Sequence, residues 1–345
     1  MNSNELDVKD RKILITLDSS ARRPISFIAK QAGLSKQLTI YRIKKLEKRG
    51  IIKGYYPIID HTKLGFKLYR VGIKLENMTK LKEKEILEYI KKRANWIVTV
   101  FGIWDLWFTL YVKNDKEFVE FWNEFYDKYG FYLDKKEVTL LTRLSIFEHS
   151  FIYSDNCKRN FIEVPLGPIN IISLDDIDKK ILFELTNNAR QTSLEISNKL
   201  KVSERIVRYR IKKLEENKII LKYRVFLDMS SLGYNNYKIF IQLKNINEKD
   251  LEKINCYVHN HKNVMFISEA LGGFDLDFEI QVKGSLELLR FIDELKIKFH
   301  YVIKRIESME YILEHKLTYY TNSKSLNSFL KNKLFFFINF ISNIF

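Results

Sequence analysis

The spacing of apolar and polar positions predicts one run of elements written twice along this chain. Val8, Ile13, Leu14 and Leu17 recur at helical intervals behind Asp7, whose carboxyl is placed to cap a helix, with Asp10 three residues on. That helix is expected to end near Asp18-Ser19-Ser20. Pro24 and Ser26 open a short helix over 27–31, and Ala32-Gly33-Leu34-Ser35 makes a tight turn into a third over 36–49. Three short helices with this turn predict a helix-turn-helix. Gly50 stops the last helix, and 51–56 reads as a strand opening a small β-wing.

Beyond Leu64-Gly65 the period changes to two, then alternates. Strands are expected at 68–75, 97–101, 106–112 and 136–153, with helices at 81–92 and 116–129. The order β-α-β-β-α-β predicts a ferredoxin-like unit whose helices cover one sheet face and leave the other for a partner or a second sheet. Residues 154–172 hold two of the four prolines, in Pro165-Leu166-Gly167-Pro168, and read as a linker. The fold class is therefore α+β: winged helix-turn-helix 1–56, regulatory unit 57–154, linker 155–173, winged helix-turn-helix 174–224, regulatory unit 225–322, and a tail 323–345.

The duplication is literal in places. Tyr41-Arg42-Ile43-Lys44-Lys45-Leu46-Glu47 returns as Tyr209-Arg210-Ile211-Lys212-Lys213-Leu214-Glu215, 168 positions later. Leu174-Asp175-Asp176-Ile177-Asp178 matches Leu6-Asp7-Val8-Lys9-Asp10, Ala189-Arg190 matches Ala21-Arg22, and Leu232-Gly233 matches Leu64-Gly65. The tail has no counterpart. Leu326, Leu330, Leu334, Phe337, Ile341 and Ile344 give it an amphipathic helical pattern suited to docking on protein, with membrane contact as the alternative.

Charge locates the chemistry. The net +16 is concentrated: residues 1–54 hold 13 Lys+Arg against 5 Asp+Glu, and residues 174–224 hold 13 against 8. Positive charge thus gathers where the helix-turn-helix units are, the footprint of a nucleic-acid binder. Cys157 and Cys256 form no CxxC, so neither a disulfide framework nor a zinc ribbon is expected, and a reducing cytoplasm is the simplest setting. Met1 to Glu5 is polar and enters a helix signal directly, with no signal-peptide pattern. No run of about 18 apolar residues spans a membrane.

The face of the repeated helix opposite its apolar stripe carries Arg205, Arg208, Tyr209 and Lys212, cations for phosphate and guanine with an aromatic among them. Gln37, Ile40, Tyr41 and Lys44 occupy the matching positions of the first copy, where Ile40 replaces a cation. The second helix is therefore expected to dominate affinity. Arg22, Arg23, Lys53 and Lys222 are candidate phosphate contacts, with simple solubility as the alternative. His259 and His261 form a His-x-His without Cys or Asp partners, too little for a metal site, and no cofactor is implied.

Taken in order, Leu-Asp-x-x-Asp-x-x-Ile-Leu, the Ala-Arg pair, the Arg-Ile-Lys-Lys-Leu-Glu helix and a Gly-x-x-Asp turn resemble the Lrp/AsnC family of transcription regulators. The resemblance implies a DNA-binding winged helix followed by a regulatory sandwich that pairs sheet to sheet. It also implies an amino-acid or related small-molecule effector near Gly102, Asp105, Gly272 and Asp275, where a tight turn with an amide-capping Asp is the plain alternative. Family members carry one unit and dimerise; two units here imply an intramolecular pseudo-dimer or a homo-oligomer built through the regulatory units on double-stranded DNA. A 19-residue linker, reaching roughly 60 Å when extended, allows the former. Siroheme decarboxylases resemble the family in fold and give the enzymatic alternative, with His61 as the suggestive residue and Met229 in its place in the second unit. An architectural DNA-binding protein is the other.

Overall fold

The computed structural model describes residues 6–153, 160–165, 170–244, 248–318 and 320. The tail 323–345, Cys157 and Leu166-Gly167-Pro168 of the linker lie outside the described residues. In the first unit α1 (Val8–Ser19), α2 (Ile25–Ala32) and α3 (Lys36–Lys48) lead into β1 (Ile52–Ile59). Then follow β2 (Lys67–Leu75), α4 (Lys80–Lys91), β3 (Trp96–Gly102), β4 (Leu106–Val112), α5 (Asp115–Tyr129) and β5 (Leu133–Phe147). A short β6 (Phe161–Pro165) precedes the second unit: α6 (Asp176–Asn187), α7 (Ser193–Leu200), α8 (Glu204–Glu216), β7 (Ile220–Leu227), β8 (Asn235–Leu243), α9 (Glu248–Asn260), β9 (Val264–Leu271), β10 (Leu276–Val282), α10 (Ser285–Phe299) and β11 (Ile303–Leu317).

The two helical units share one core. Ile13, Leu14 and Leu17 of α1 and Ile181, Leu182 and Leu185 of α6 are wholly buried in the same apolar cluster, joined through Tyr55, Ile59, Tyr223 and Val225. Each such side chain contributes roughly 1.5–3 kcal/mol by leaving water. The strand that follows each recognition helix finds its partner in the other unit. β1 pairs antiparallel with β7 of the other unit, Tyr55 opposite Val225 and Tyr56 opposite Arg224, so each unit supplies one strand of a shared ribbon. A lone strand leaves a row of unpaired amides and carbonyls, and the duplicate is the nearest strand able to satisfy them.

The other strands close on one another. β5 and β11 are both 15 residues long. The first part of β5 pairs with β2, and its later part crosses to β9 of the second unit, with Leu144 opposite Ser268. β11 pairs with β8 and then with β3 of the first unit, Met309 opposite Gly102. The ring runs β2-β4-β3-β11-β8-β10-β9-β5 and returns to β2, with β6 added along the end of β5. Residues 161–165, read as linker, are thus a sheet strand. Alternation decides the two faces: Leu106, Phe108 and Leu110 of β4 pack beneath α4 and α5, while Trp107 joins Phe240 of β8 in a separate apolar cluster on the face between the units.

Candidate nucleic-acid interface

The recognition helices are built by paired local devices. Ser35 Oγ accepts from the Leu38 amide at 3.2 Å and Ser203 Oγ from the Ile206 amide at 3.3 Å, so each side chain caps its helix. The turn before each helix needs left-handed backbone: Gly33 has φ +63° and its counterpart Lys201 has φ +54°. Inward stripes of Thr39, Ile43 and Leu46 in α3, and of Val207, Ile211 and Leu214 in α8, fix which face points out.

Several repeated motif residues hold the scaffold. Arg42 Nη1 donates to Asp7 at 2.6 Å and Asp10 at 2.8 Å, and Arg210 Nη1 to Asp175 at 2.5 Å and Asp178 at 3.3 Å. Each arginine ties a recognition helix to the start of the first helix of its unit. Partial burial works against the Asp7 carboxylate, but the Asp10 amide and Arg42 outweigh it and hold its pKa below the usual range. The Tyr55 hydroxyl donates to Glu47 and that of Tyr223 to Glu215, both at 2.7 Å.

The Ala-Arg pairs form a reciprocal clasp between units. The Ala21 amide donates to the Tyr223 carbonyl and the Ala189 amide to the Tyr55 carbonyl, each at 2.9 Å. Arg22 donates to the Ala189 and Gln191 carbonyls and lies over the Tyr223 ring; Arg190 donates to the Ala21 carbonyl and lies over Tyr55. Arg22 is therefore corrected from phosphate contact to inter-unit clasp, since its guanidinium is spent on carbonyls. Lys222 is corrected likewise: its ammonium sits 2.5 Å from the buried Glu148 carboxylate. Lys53 pairs with Asp228 at 3.1 Å yet keeps 48% of its side chain exposed, and Arg23 is exposed over Phe27.

Gln37, Tyr41 and Lys44 of α3 and Arg205, Arg208, Tyr209 and Lys212 of α8 are all exposed, on two helices related by the clasp. Tyr41 and Tyr209 are each 62% exposed. The charge balance differs between the two helices. α3 carries five cations against one carboxylate and α8 five against three, because Glu204 and Glu216 stand where α3 has Lys36 and Lys48. Arg208 donates to Glu204 through Nε at 3.0 Å and Nη2 at 2.6 Å. The net positive charge is thus greater on the first helix. Lys36, Lys48 and Lys201 are exposed cations that a search by Arg-rich faces passes over; comparing the two copies position by position finds them.

The Gly-x-x-Asp turns have a structural use. Asp105 accepts from the Leu75 amide and pairs with Lys74, and Asp275 accepts from the Leu243 amide, each at 2.7 Å. Gly102, at φ +138°, lies so close to β11 that a Cβ would sit 2.7 Å from the Ser308 carbonyl. Gly272 and Gly273 have φ +86° and +77°, and a Cβ on Gly273 would meet Thr139 at 2.9 Å and Glu137 Oε1 at 3.1 Å. Both turns therefore press on the long strand of the other unit. Beside them Arg70 and Lys238 share Asp277, with Arg70 Nη2 and Lys238 Nζ each 2.6 Å from its carboxylate, all three almost fully buried. Burial opposes the charge on Asp277, but the two cations prevail and hold its pKa down at about 2. The Nε1 atoms of Trp104 and Trp107 and Oε1 of Glu137 are buried without a hydrogen-bond partner.

The histidines are packed. His61 stacks on Tyr111 at 4.0 Å with Nδ1 3.0 Å from the Ile59 carbonyl; His259 meets Phe147 and Phe161 edge-on, and His261 lies 4.4 Å from the Phe291 ring.

Comparison with known proteins follows the duplication. A winged helix-turn-helix DNA-binding family model matches residues 6–53 and again 174–220. The HTH-type transcriptional regulator FL11 of Pyrococcus horikoshii is 30% identical over 122 residues, 35% of this chain and 80% of that protein. HTH-type transcriptional regulator LrpA of the same organism is 36% identical over 108 residues, 29% of this chain and 75% of that protein. The crystal structure of the siroheme decarboxylase NirDL covers 94% of this chain and 100% of its own, with TM-score 0.61 and 17% identity. At that identity the likeness is one of fold, and it extends over both units.

Proposed function

Since the chain belongs to the Lrp/AsnC family of transcription regulators, with two helix-turn-helix units in tandem, we propose that α3 and α8 of one molecule enter successive major grooves of one duplex. The observation that carries this is the reciprocal clasp, Arg22 on the second unit and Arg190 on the first, which sets two outward basic helices in matched positions. Arg205, Arg208 and Gln37 are the base-reading candidates. Tyr41, Tyr209, Lys44 and Lys212 hold phosphates, with Arg23 and Lys53 at the margin. Each regulatory unit is a ferredoxin-like sandwich half, and the ring of strands makes the chain a pseudo-dimer working in the cytoplasm. Among the described residues no helix is long and apolar enough to cross a membrane.

Titration of the full chain with random and selected duplexes tests the reading. A preferred sequence bound at least about a thousandfold over random DNA is expected of a regulator, and flat affinity across duplexes favours an architectural role instead.

An amino acid or related small molecule is the effector we assign to the regulatory units, beside the Gly-x-x-Asp turns, where Nε1 of Trp104 and Trp107 and Oε1 of Glu137 are buried without a hydrogen-bond partner. Burial pushes the Glu137 carboxyl up despite Arg70, and a cationic group such as an ammonium brought beside it would lower it again. Thermal shift of the full chain against a panel of amino acids checks this; no shift with any of them removes the assignment.

The fold likeness to a siroheme decarboxylase favours a second reading. His61, the histidine on which it would rest, is only 4% exposed and stacked on Tyr111, out of reach of a substrate, so we assign the chain no reaction. Tetrapyrrole absorbance in the purified protein would reverse that.

A further inference from the structure

Resting on the reading of the chain as a DNA-binding regulator, we propose that its operator has two chemically unlike half-sites and that the chain therefore binds DNA in one orientation. The clasp and the strand pair β1–β7 relate the units by a reciprocal exchange of the same bonds, so α3 and α8 present equivalent surfaces. On those surfaces the outward side chains of the middle turns are identical: Tyr41 with Tyr209, Lys44 with Lys212, Lys45 with Lys213. The duplex backbone is itself two-fold, and this part of the protein matches it.

The first two turns, which meet base edges when a recognition helix enters the groove end-on, are not identical. Lys36, Gln37 and Ile40 of α3, all exposed, stand where α8 has half-buried Glu204 and exposed Arg205 and Arg208. Gln37 can donate and accept at once, the pattern adenine offers at N7 and N6. Ile40, 39% exposed, offers apolar surface of the kind that meets a thymine methyl, beside Leu38, whose place Ile206 fills equally exposed in α8. Arg205 and Arg208 carry the forked donors that fit guanine O6 and N7. Glu204 holds Arg208 by two bonds, which fixes the direction of its guanidinium, and its remaining lone pairs suit a cytosine N4 amine. The first half-site is accordingly A·T and the second G·C. With five cations against one carboxylate, α3 supplies the larger share of phosphate attraction, while α8 supplies the larger share of discrimination.

Selection of binding sites from random duplexes by the full chain tests this. The enriched sequence should carry A·T pairs in one half and guanines in the other, without dyad symmetry. Duplexes made symmetric on either half should bind roughly tenfold weaker or worse, the effect of one or more mismatched pairs. The triple substitution Glu204→Lys, Arg205→Gln, Arg208→Ile alters only side chains outside the core and gives α8 the reading face of α3. That variant, checked for an unchanged melting temperature, should prefer the symmetric A·T duplex. Enrichment of a palindrome by the unaltered chain, or equal affinity for the symmetric and asymmetric duplexes, overturns the proposal. Equal binding to all duplexes, or to none, overturns the regulator reading beneath it instead.

Discussion

The helix-turn-helix layer and the interior of the strand ring treat the same duplication in opposite ways. In the first, bonds are exchanged in kind: Arg22 reaches the Ala189 carbonyl and Arg190 the Ala21 carbonyl, while Tyr55 and Tyr223 each bind a glutamate of the recognition helix of their own unit. In the second, equivalent positions have diverged into complements. Arg70 and Lys238 correspond, yet both turn to Asp277, whose counterpart in the first unit is Trp107. Gly72 corresponds to Phe240; a Cβ on Gly72 would fall 2.3 Å from the Trp107 ring, and Phe240 meets that ring at 5.4 Å. Two copies of the first unit would bury two arginines with no Asp277. Symmetry has been kept in the clasp and ribbon that join the helical units and lost in the interior of the strand ring.

The largest expected effect lies in the non-reciprocal interior. Asp277→Asn leaves two buried cations without their shared carboxylate and should lower unfolding stability by about 3–5 kcal/mol in denaturant titrations. Asp277 is held at about 2, below its ordinary 3.8. A lowered carboxylate contributes stability above its unfolded pKa, and that contribution is lost as pH falls toward the folded value. Stability should therefore drop between about pH 4 and pH 2 in the natural chain, with a shallower drop in the variant. An unchanged acid profile would mean that the trio does not govern the interior.

Reciprocity in the helical layer is tested by matched variants. Arg22→Ala and Arg190→Ala each free backbone carbonyls from a charged donor and should cost about 1–3 kcal/mol, the two values agreeing closely. Markedly unequal costs would break the symmetry of the clasp. On DNA, Arg208→Ala should weaken the preferred site by about 1–3 kcal/mol and relax its sequence choice. Smallest at physiological salt are Lys44→Ala and Lys212→Ala. Each should weaken all sequences alike and reduce the slope of log affinity on log salt by about 1. A sequence-selective loss in either would move that lysine from the phosphates to the bases.

Much of this could be read from the sequence because it is local. Helix periods, the Ser35 and Ser203 caps and the repeated words depend on neighbours a few residues away, and the elements lie close to where their patterns put them, β6 in the stretch read as linker excepted. The choice of long-range partner is not local. β1 has the same alternation whether it pairs within its unit or with β7, so the shared ribbon was not legible. Arg22 and Lys222 look like any surface cation until the Ala189 carbonyl and Glu148 are placed beside them. One signal for the interior did exist: Arg70, Lys238 and Asp277 sit at inward strand positions between buried apolar residues, an interruption of the pattern that surface strands do not need.

The central claim is that one chain carries both reading heads for one operator. Native mass measurement of the full chain on its selected duplex, with footprinting of the same complex, tests it most directly. We expect every chain in the complex to account for two protected half-sites about one helical turn apart, near 34–36 Å. A complex in which each chain protects a single half-site, so that two chains are needed for two half-sites, would contradict it.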